Sequence, residues 1–226
     1  MKITFLGHAT LWIEFGQFSL LVDPFISGNP KVSDTIAIKE LKPNYILLTH
    51  AHQDHTLDVE EIVKNSKAVI ISNYEIAMYY EKLGFKSHPM NHGGSYTFDF
   101  GRLKYVQAIH SSSFADGTYG GQPGGFLIEA KDKNLYVAGD TALTTDMKLI
   151  PMQLTLDLAI LPIGDNFTMG ISDAIIASDF IECNKILGYH YDTFGYIEID
   201  HKMAKQAFND AGKTLYLLAI GESMMI

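Results

Sequence analysis

Directly after an apolar run at residues 45–48, the chain carries the sequence Thr49-His50-Ala51-His52-Gln53-Asp54-His55. Its imidazoles and its carboxylate form a donor set that Zn²⁺, Mn²⁺ and Fe²⁺ accept. On an extended backbone, His50 and His52 point to the same side and are expected to bind one ion together. Asp54 and His55 come where the chain turns toward a helix predicted at residues 58–64. The pattern therefore predicts a metal site with room for a second ion, rather than a solvated loop that is rich in histidine by chance.

Further ionisable side chains lie at or just past the ends of predicted strands. Such groups can meet at one rim of a sheet, where a rigid scaffold holds them and the loops leave room for a substrate. Taken singly, His110 is more often a hydrogen-bonded, half-buried residue than a ligand, and Asp140 can be a turn carboxylate. Their occurrence together with residues 50–55 favours a shared site. The residues in this setting are His8, Asp23, His50, His110, Asp140, Asp165 and His190. The histidines left outside the predicted site are His88, His92 and His201.

The pattern of apolar segments and turn residues predicts strands in meanders with helices between them. Each half of the sequence supplies several strands and then a helical stretch, and no Pro- or Gly/Ser-rich linker separates the halves. We therefore expect one α+β domain, residues 1–226, in four layers: two sheets packed face to face, with helices on their outer faces. The helices are predicted at residues 35–41, 58–64, 74–83, 172–183 and 201–211. Ser172 or Asp173 is expected to cap the fourth helix, and a last strand is predicted at residues 214–220.

The composition excludes several classes of function. The 226 residues carry a formal net charge of −9, which weighs against nucleic acid as a partner because such binding relies on Lys and Arg. No apolar run approaches the roughly 20 residues that a membrane-spanning helix needs, and the N-terminus lacks the features of a signal peptide. We therefore expect a cytoplasmic protein that acts without a membrane partner. The single Cys183 cannot form an internal disulfide, which agrees with a reducing compartment.

The motif at residues 50–55 resembles the signature H-x-H-x-D-H of the metallo-β-lactamase superfamily. Later parts of the superfamily pattern also find matches: a histidine after a strand at His110, the pair Gly139-Asp140, and a last histidine at His190. The matches run in the superfamily's order over nearly the whole chain.

Three further segments are similar to a subgroup of small metal-dependent hydrolases. They are Gly7-His8-Ala9-Thr10, Leu21-Val22-Asp23-Pro24 and residues 164–170. That subgroup is similar to ascorbate-6-phosphate lactonases and to N-acyl-phosphatidylethanolamine phospholipases. The phospholipase-like enzymes carry membrane-contacting segments without a counterpart here, so lipid substrates are not expected.

The resemblance implies a four-layer αβ/βα sandwich with two divalent metal ions. Zn²⁺ best suits the imidazoles, with Mn²⁺, Fe²⁺ or Ni²⁺ as alternatives. The implied ligands are His50, His52 and His110 for the first ion, Asp54, His55 and His190 for the second, and Asp140 as the bridge. Nearby, as outer hydrogen-bond partners or substrate contacts, would lie His8, Asp23, Asn166 and Thr168. Whether His8 and Asp165 contact metal or substrate is left open.

The mechanism expected from this resemblance is hydrolysis by a hydroxide that bridges the two ions. It would attack an ester, lactone or phosphoester bond of a small substrate, while Asp54 and Asp140 orient the hydroxide and collect its proton. The loop at residues 111–124, with Phe114 and Tyr119, is expected to close over the substrate.

Three alternatives stay open at this point. The first is an iron-dependent redox enzyme, similar to sulfur dioxygenases or to two-iron electron carriers, although the latter usually have a flavin-binding module that this sequence lacks. The second is a nuclease on the same fold. The third is a metal-stabilised binding protein without catalysis. A homo-oligomer is expected from the lactonase-like resemblance.

Overall fold

The computed structural model describes residues 1–32 and 36–226. The first strands are β1 (Lys2–Gly7), β2 (Thr10–Phe15), β3 (Phe18–Val22), β4 (Tyr45–Leu47), β5 (Val69–Asn73), β6 (Ser87–Met90) and β7 (Ser95–Phe98). The later strands are β8 (Gly101–Gln107), β9 (Gly124–Ala130), β10 (Lys133–Val137), β11 (Leu158–Pro162), β12 (Lys185–Tyr189), β13 (Thr214–Tyr216) and β14 (Ser223–Met225). Together they form two mixed sheets, each seven-stranded within the described residues.

The two sheets have the same plan. The strand order is β14-β1-β2-β3-β4-β5-β6 in the first and β13-β12-β11-β10-β9-β8-β7 in the second. Strands β1 and β3 are both antiparallel to β2, and β4 is parallel to β3. Likewise β8 and β10 are both antiparallel to β9, while β10, β11 and β12 are parallel. The carboxyl ends of β1, β3 and β4 therefore lie at one edge of the first sheet, and those of β8, β10, β11 and β12 at one edge of the second.

Helices cover the outer faces of both sheets. They are α1 (Gln53–Thr56), α2 (Val59–Ser66), α3 (Tyr74–Lys82), α4 (Ile171–Phe180) and α5 (His201–Asp210), with short 3₁₀ helices at Ile38–Glu40, Thr145–Leu149 and Gly195–Ile197. Alternate residues of each strand face opposite layers. Leu20 and Val22 enter the core between the sheets, whereas Leu21 packs in the cluster that contains α2 and α3. Leu187 lies in the core between the sheets, and its neighbour Ile186 packs toward α4 and α5. The predicted four-layer α+β sandwich is confirmed.

Several predicted boundaries need correction. Helix α4 begins at Ile171, with Gly170 at the N-cap and no side-chain cap bond, so the prediction that Ser172 or Asp173 caps it is wrong. The strand predicted at 214–220 ends at Tyr216. The sequence analysis missed β14, which pairs with β1. Of the helix predicted at 35–41, the structure shows a 3₁₀ turn at Ile38–Glu40, and Thr35 lies outside the described residues.

The other three predicted helices agree with α2, α3 and α5 to within two residues at each end. Within the described part of the chain, no helix is both long enough and apolar enough to span a membrane.

Candidate metal site

The candidate site lies where the carboxyl ends of strands from both sheets meet. His8 follows β1, Asp23 follows β3, and His190 follows β12. All three have left-handed backbone conformations, with φ of 55°, 43° and 56°. Residues other than glycine rarely adopt this region, and those that do concentrate at functional sites. The sharp turn that each makes directly after its strand is a local feature that the apolar pattern alone does not reveal.

Gly139 sets the position of Asp140 after β10. Its φ is +69°, and a Cβ atom there would lie 2.8 Å from the Gly124 carbonyl oxygen and 2.9 Å from Thr49 Cβ. Only glycine fits this conformation and this close approach between the two sheets. The pair Gly139-Asp140 therefore brings a carboxylate of the second sheet against the loop that follows β4.

Asp140 occupies the centre of the site. Its Oδ2 atom lies near four imidazole Nε2 atoms, those of His190 (2.9 Å), His55 (3.4 Å), His110 (3.6 Å) and His50 (3.9 Å). The Asp140 side chain is 2% exposed. One buried carboxylate oxygen is thus shared by histidines from two different sheets.

The imidazoles of His50, His52 and His110 form what we call the open group. Their ligating atoms all lie within 4.8 Å of one another. His50 Nε2 is 3.0 Å from His52 Nδ1, and the hydroxyl of Thr49 lies 3.0 Å from His50 Nδ1. His52 is half-buried, and the His110 side chain is 15% exposed. This group therefore faces the entrance of the site.

The second set, which we call the buried group, contains His8, Asp54, His55 and His190. One ligand atom from each lies within 4.8 Å of the others. The three imidazoles are buried, and only the Asp54 side chain, at 29% exposed, reaches toward solvent. A further grouping joins His50, His55 and Asp140, so Asp140 and His55 connect the open group with the buried group.

Asp23 lies beneath both groups and is fully buried. Its Oδ1 accepts a hydrogen bond from the Thr49 backbone N–H (2.8 Å), and its Oδ2 accepts one from the Thr49 hydroxyl (2.6 Å). Oδ2 also lies 2.9 Å from His55 Nδ1. Because Nδ1 of His55 is held there, its Nε2 atom faces Asp140. A partner of this kind fixes the tautomer and the orientation of a histidine.

Burial dominates the electrostatics of the open group and of His8. It lowers the pKa of His8 to about 4, with His190 as the next cause, and it lowers the pKa values of His52 and His110. Burial also holds the pKa of His50 well below its usual value. These rings are therefore neutral near pH 7, which is the form that binds a metal.

The acidic residues respond to neighbouring histidines. Burial raises the pKa of Asp140, but His190 and His55 outweigh it and hold that pKa well below its usual value. Asp54 behaves alike: burial opposes ionisation, yet neighbouring histidines, first His55, lower its pKa. Burial lowers the pKa of His55, but three carboxylates, first Asp140, raise it well above its usual value. Burial raises the pKa of Asp23, and His55 opposes that rise.

The donors present fit a divalent metal. Among the described residues, buried polar atoms without a hydrogen-bond partner include His55 Nε2, both ring nitrogens of His190 and Asp140 Oδ1. His190 Nε2 is 2.9 Å from Asp140 Oδ2 but lacks the alignment of a hydrogen bond. Unpartnered buried polar atoms are costly, and a cation among them would satisfy them. Imidazole nitrogens and carboxylate oxygens also match zinc and similar ions chemically.

The structure brings together all seven predicted ligands, and His8 and Asp23, predicted as outer partners or substrate contacts, lie beside them. Asn166 and Thr168 lie in the loop between β11 and α4, where Asn166 is exposed and the Thr168 hydroxyl donates to the Met169 carbonyl (3.3 Å). The loop borders the site, because Met169 N–H donates to the Thr141 carbonyl. Asp165 is exposed in the same loop and accepts from the Asn166 N–H. Contact of these side chains with a substrate stays a prediction.

The histidines excluded by the sequence analysis lie outside both groups. His88 packs on Tyr96, His92 bonds the Pro123 carbonyl, and His201 bonds Asp192. The expectation for Phe114 is wrong: its ring is buried and stacked 3.8 Å from that of Tyr79, so it does not face a substrate.

Tyr119, in contrast, is 64% exposed. The loop around it is fixed at its base, because Ser112 Oγ accepts from the Ala51 N–H and donates to the Gly120 carbonyl. Sequence reasoning missed Thr49, Ser112 and Thr193 as supports of the site. Thr49 and Thr193 are close neighbours of ligands in the sequence, but nothing in a single sequence distinguishes a supporting hydroxyl from any other.

Comparison with known proteins agrees with this geometry. A family model described as a beta-lactamase superfamily domain matches residues 2–190. The chain belongs to the metallo-β-lactamase superfamily. Within it, a UPF0173 metal-dependent hydrolase of Christiangramia forsetii is 67% identical over 224 residues, which cover 99% of each chain. A second relative of that description, from Methylacidiphilum infernorum, is 48% identical over the full length of both chains.

Among solved structures, the metallo hydrolase Igni18 of Ignicoccus hospitalis is 31% identical and superposes with a TM-score of 0.89. The match covers 99% of this chain and 97% of Igni18. The protein is thereby placed among the metal-dependent hydrolases of the metallo-β-lactamase superfamily.

Proposed function

We propose that this metallo-β-lactamase superfamily member is a binuclear hydrolase of a small ester, lactone or phosphoester. The observation that carries the proposal is the pair of donor groups joined by Asp140 Oδ2, which lies within 3.9 Å of imidazole nitrogens from both. A single ion would leave one of the two groups without a bound metal, although each contains at least three potential ligands.

In this proposal, His50, His52 and His110 would hold the first ion, Asp54, His55 and His190 would hold the second, and Asp140 would be a ligand of both. Divalent ions bound there would polarise the scissile group and lower the pKa of water from about 16 toward about 7. Zn²⁺ suits the imidazole-rich donors best.

The chain's own residues position water and substrate. Asp54 and Asp140 are both held ionised by neighbouring histidines, so their oxygens accept hydrogen bonds from a water molecule in the site and orient it. Asp54 is the more accessible of the two, which makes its carboxylate the acceptor for a proton that leaves toward solvent. Asp140, enclosed by four imidazoles, stays as the fixed negative charge between the groups.

Substrate access is expected from the side where His52, Asp54 and His110 reach solvent. Leu57 and Ile109, each close in sequence to a ligand, are exposed. Asn166 and Thr168 in the neighbouring loop are proposed polar contacts for the substrate. The formal charge of −9 favours a small molecule over nucleic acid as the partner. We further propose a single domain, a cytoplasmic location and a homo-oligomer.

The test is metal content by elemental analysis, on protein purified without chelator or nickel affinity resin. We expect about two ions per chain in the wild type and fewer in Asp140→Ala. Hydrolysis should fall by more than the roughly 100-fold that loss of an outer partner of a ligand costs. Asp157→Ala is the matched control, because it also removes a carboxylate but one that pairs with Lys133.

A screen of lactone, ester, phosphodiester and RNA substrates would then define the bond. One iron per chain that the Asp140 substitution leaves in place would overturn the proposal and direct the search to redox chemistry.

A further inference from the structure

His8 has a position that the two-ion site does not require. Its imidazole is fully buried, and its ring centroid lies 4.1 Å from that of His190 and 5.5 Å from that of His55. The backbone fixes this placement: the His190 N–H donates to the His8 carbonyl (2.8 Å), and φ of His8 is 55°. Non-glycine residues rarely adopt a left-handed backbone conformation, so contacts with the surrounding structure must hold His8 in this position.

The two ring nitrogens of His8 have different surroundings. Nδ1 lies 2.9 Å from the Thr193 hydroxyl, which in turn is a donor to the Tyr191 carbonyl at 3.4 Å. Because a carbonyl oxygen can only accept a hydrogen bond, we assign the Thr193 hydroxyl proton to the bond with the Tyr191 carbonyl. Thr193 then accepts from Nδ1–H. This assignment satisfies both contacts at once and leaves the Nε2 of a neutral ring as a bare lone pair.

That lone pair meets another acceptor. Nε2 of His8 lies 3.0 Å from Asp54 Oδ2, so in a neutral ring the lone pair faces a carboxylate oxygen. Two acceptor atoms at hydrogen-bond distance in a buried site repel each other unless a cation lies beside both.

The Asp54 atom involved also indicates a shared ion. Oδ2 is the oxygen that faces the rest of the buried group, 3.8 Å from His55 Nε2 and 3.9 Å from His190 Nε2. His8 contacts the same oxygen as the other members, and all four ligand atoms lie within 4.8 Å of one another.

We infer that His8 is itself a ligand of the second ion, so that the buried group offers three imidazoles and a carboxylate in addition to Asp140. This inference rests on the proposed two-ion function. With His8 as a ligand, the second ion would bind more tightly than the first, because it would have more ligands. The side of the site where His8 lies is also closed to solvent. Phe25 and Phe194, with ring centroids 5.6 Å and 5.5 Å from that of His8, complete this exclusion.

A direct test uses protein labelled with ¹⁵N in its histidines and loaded with ¹¹³Cd. Long-range proton–nitrogen spectra report which imidazole nitrogens couple to the metal. With His8 as a ligand, coupled signals come from six histidines, the predicted five (His50, His52, His55, His110 and His190) and His8. In His8→Gln, the His8 signal disappears and the other five stay coupled. His201→Gln is the matched control, because His201 bonds Asp192 outside both groups and its loss should leave six.

The glutamine variant also separates ligation from hydrogen bonding. Its amide can still donate to Asp54, so an orienting role for His8 predicts at most about a tenfold loss in affinity for the second ion, the low end for an outer partner. Ligation predicts a loss beyond about 100-fold, the upper end for such partners, in competition titrations with a chelator.

Five coupled histidines in the wild type, with Nε2 of His8 protonated, would overturn the inference while leaving two-ion binding intact. No coupled histidine at all would instead refute the proposed function. Because the decisive spectrum is recorded on the wild-type protein, the inference stays testable even where His8→Gln folds poorly.

Discussion

The open group and the buried group use the same chemistry in different surroundings. His52 and His110 of the open group reach solvent, and an exposed serine, Ser111, lies 3.3 Å from His52 Nε2. In the buried group, His55 is fully buried and bonds the buried carboxylate of Asp23. The two groups therefore differ in access and support: solvent reaches the open group, whereas the buried group is enclosed and bonded to a buried carboxylate.

The largest expected difference between the groups concerns stability without metal. In His55→Ala, the buried carboxylates of Asp23 and Asp140 lose their imidazole partner, and breaking such a pair costs about 3–5 kcal/mol in the free energy of unfolding. In His52→Ala, a half-buried ring is lost, which should cost less than about 1 kcal/mol. Urea denaturation of the chelator-treated proteins measures both values. Equal losses in the two variants would mean that the two groups contribute equally to stability in the absence of metal.

A second prediction concerns Gly139, which positions the carboxylate shared by both groups. Gly139→Ala introduces a Cβ atom 2.8 Å from the Gly124 carbonyl oxygen. We expect a loss of stability larger than the about 1–2 kcal/mol that a left-handed residue costs by itself, together with weaker binding of both ions.

Gly212→Ala is the control for Gly139→Ala, because φ is +72° at Gly212 and a Cβ atom there meets nothing within 4 Å. Thermal unfolding and metal titration of both variants isolate the effect of the close contact. If the two alanines behave alike, the close contacts of Gly139 with Gly124 and Thr49 are not what places Asp140.

A smaller and more selective effect is expected at Thr49. Its hydroxyl contacts His50 Nδ1 of the open group and donates to Asp23. Thr49→Val removes that hydroxyl with little change in shape, so we expect affinity for the first ion to fall about tenfold, the low end for a supporting partner. Affinity for the second ion should stay unchanged, because Asp23 still bonds His55.

Asp23→Asn gives the contrast to Thr49→Val. Its amide would present N–H groups to the Thr49 hydroxyl or to His55 Nδ1, so both ions should bind more weakly. Chelator competition with each variant resolves the two affinities. If Thr49→Val lowered the affinity for the second ion alone, the proposed difference between the open group and the buried group would be contradicted.

Parts of the architecture follow from local patterns in the sequence. The apolar runs predicted most strands, and their order among the helical stretches predicted two packed sheets with helices on the outer faces. Helix α3 was predicted almost to the residue because Tyr74–Lys82 ends just before Gly84, whose φ is +86°. Strand β14 was missed because Ser223–Met225 is short, and its pairing with β1 joins the two ends of the chain. No local pattern in the sequence indicates a pairing between residues so far apart in the chain.

The sequence by itself determined the donors of this protein, since residue type fixes which atoms can bind a metal, and strand ends predicted that His8, His110, Asp140 and His190 would meet residues 50–55. Only the tertiary structure decided how they are arranged. It placed Asp140 between two donor groups, put His8 inside the second, and turned Phe114 into the core. The physical reason is that orientation depends on contacts between the two sheets, such as Gly139 against Thr49 and His190 N–H to the His8 carbonyl. Those contacts join residues far apart in the chain.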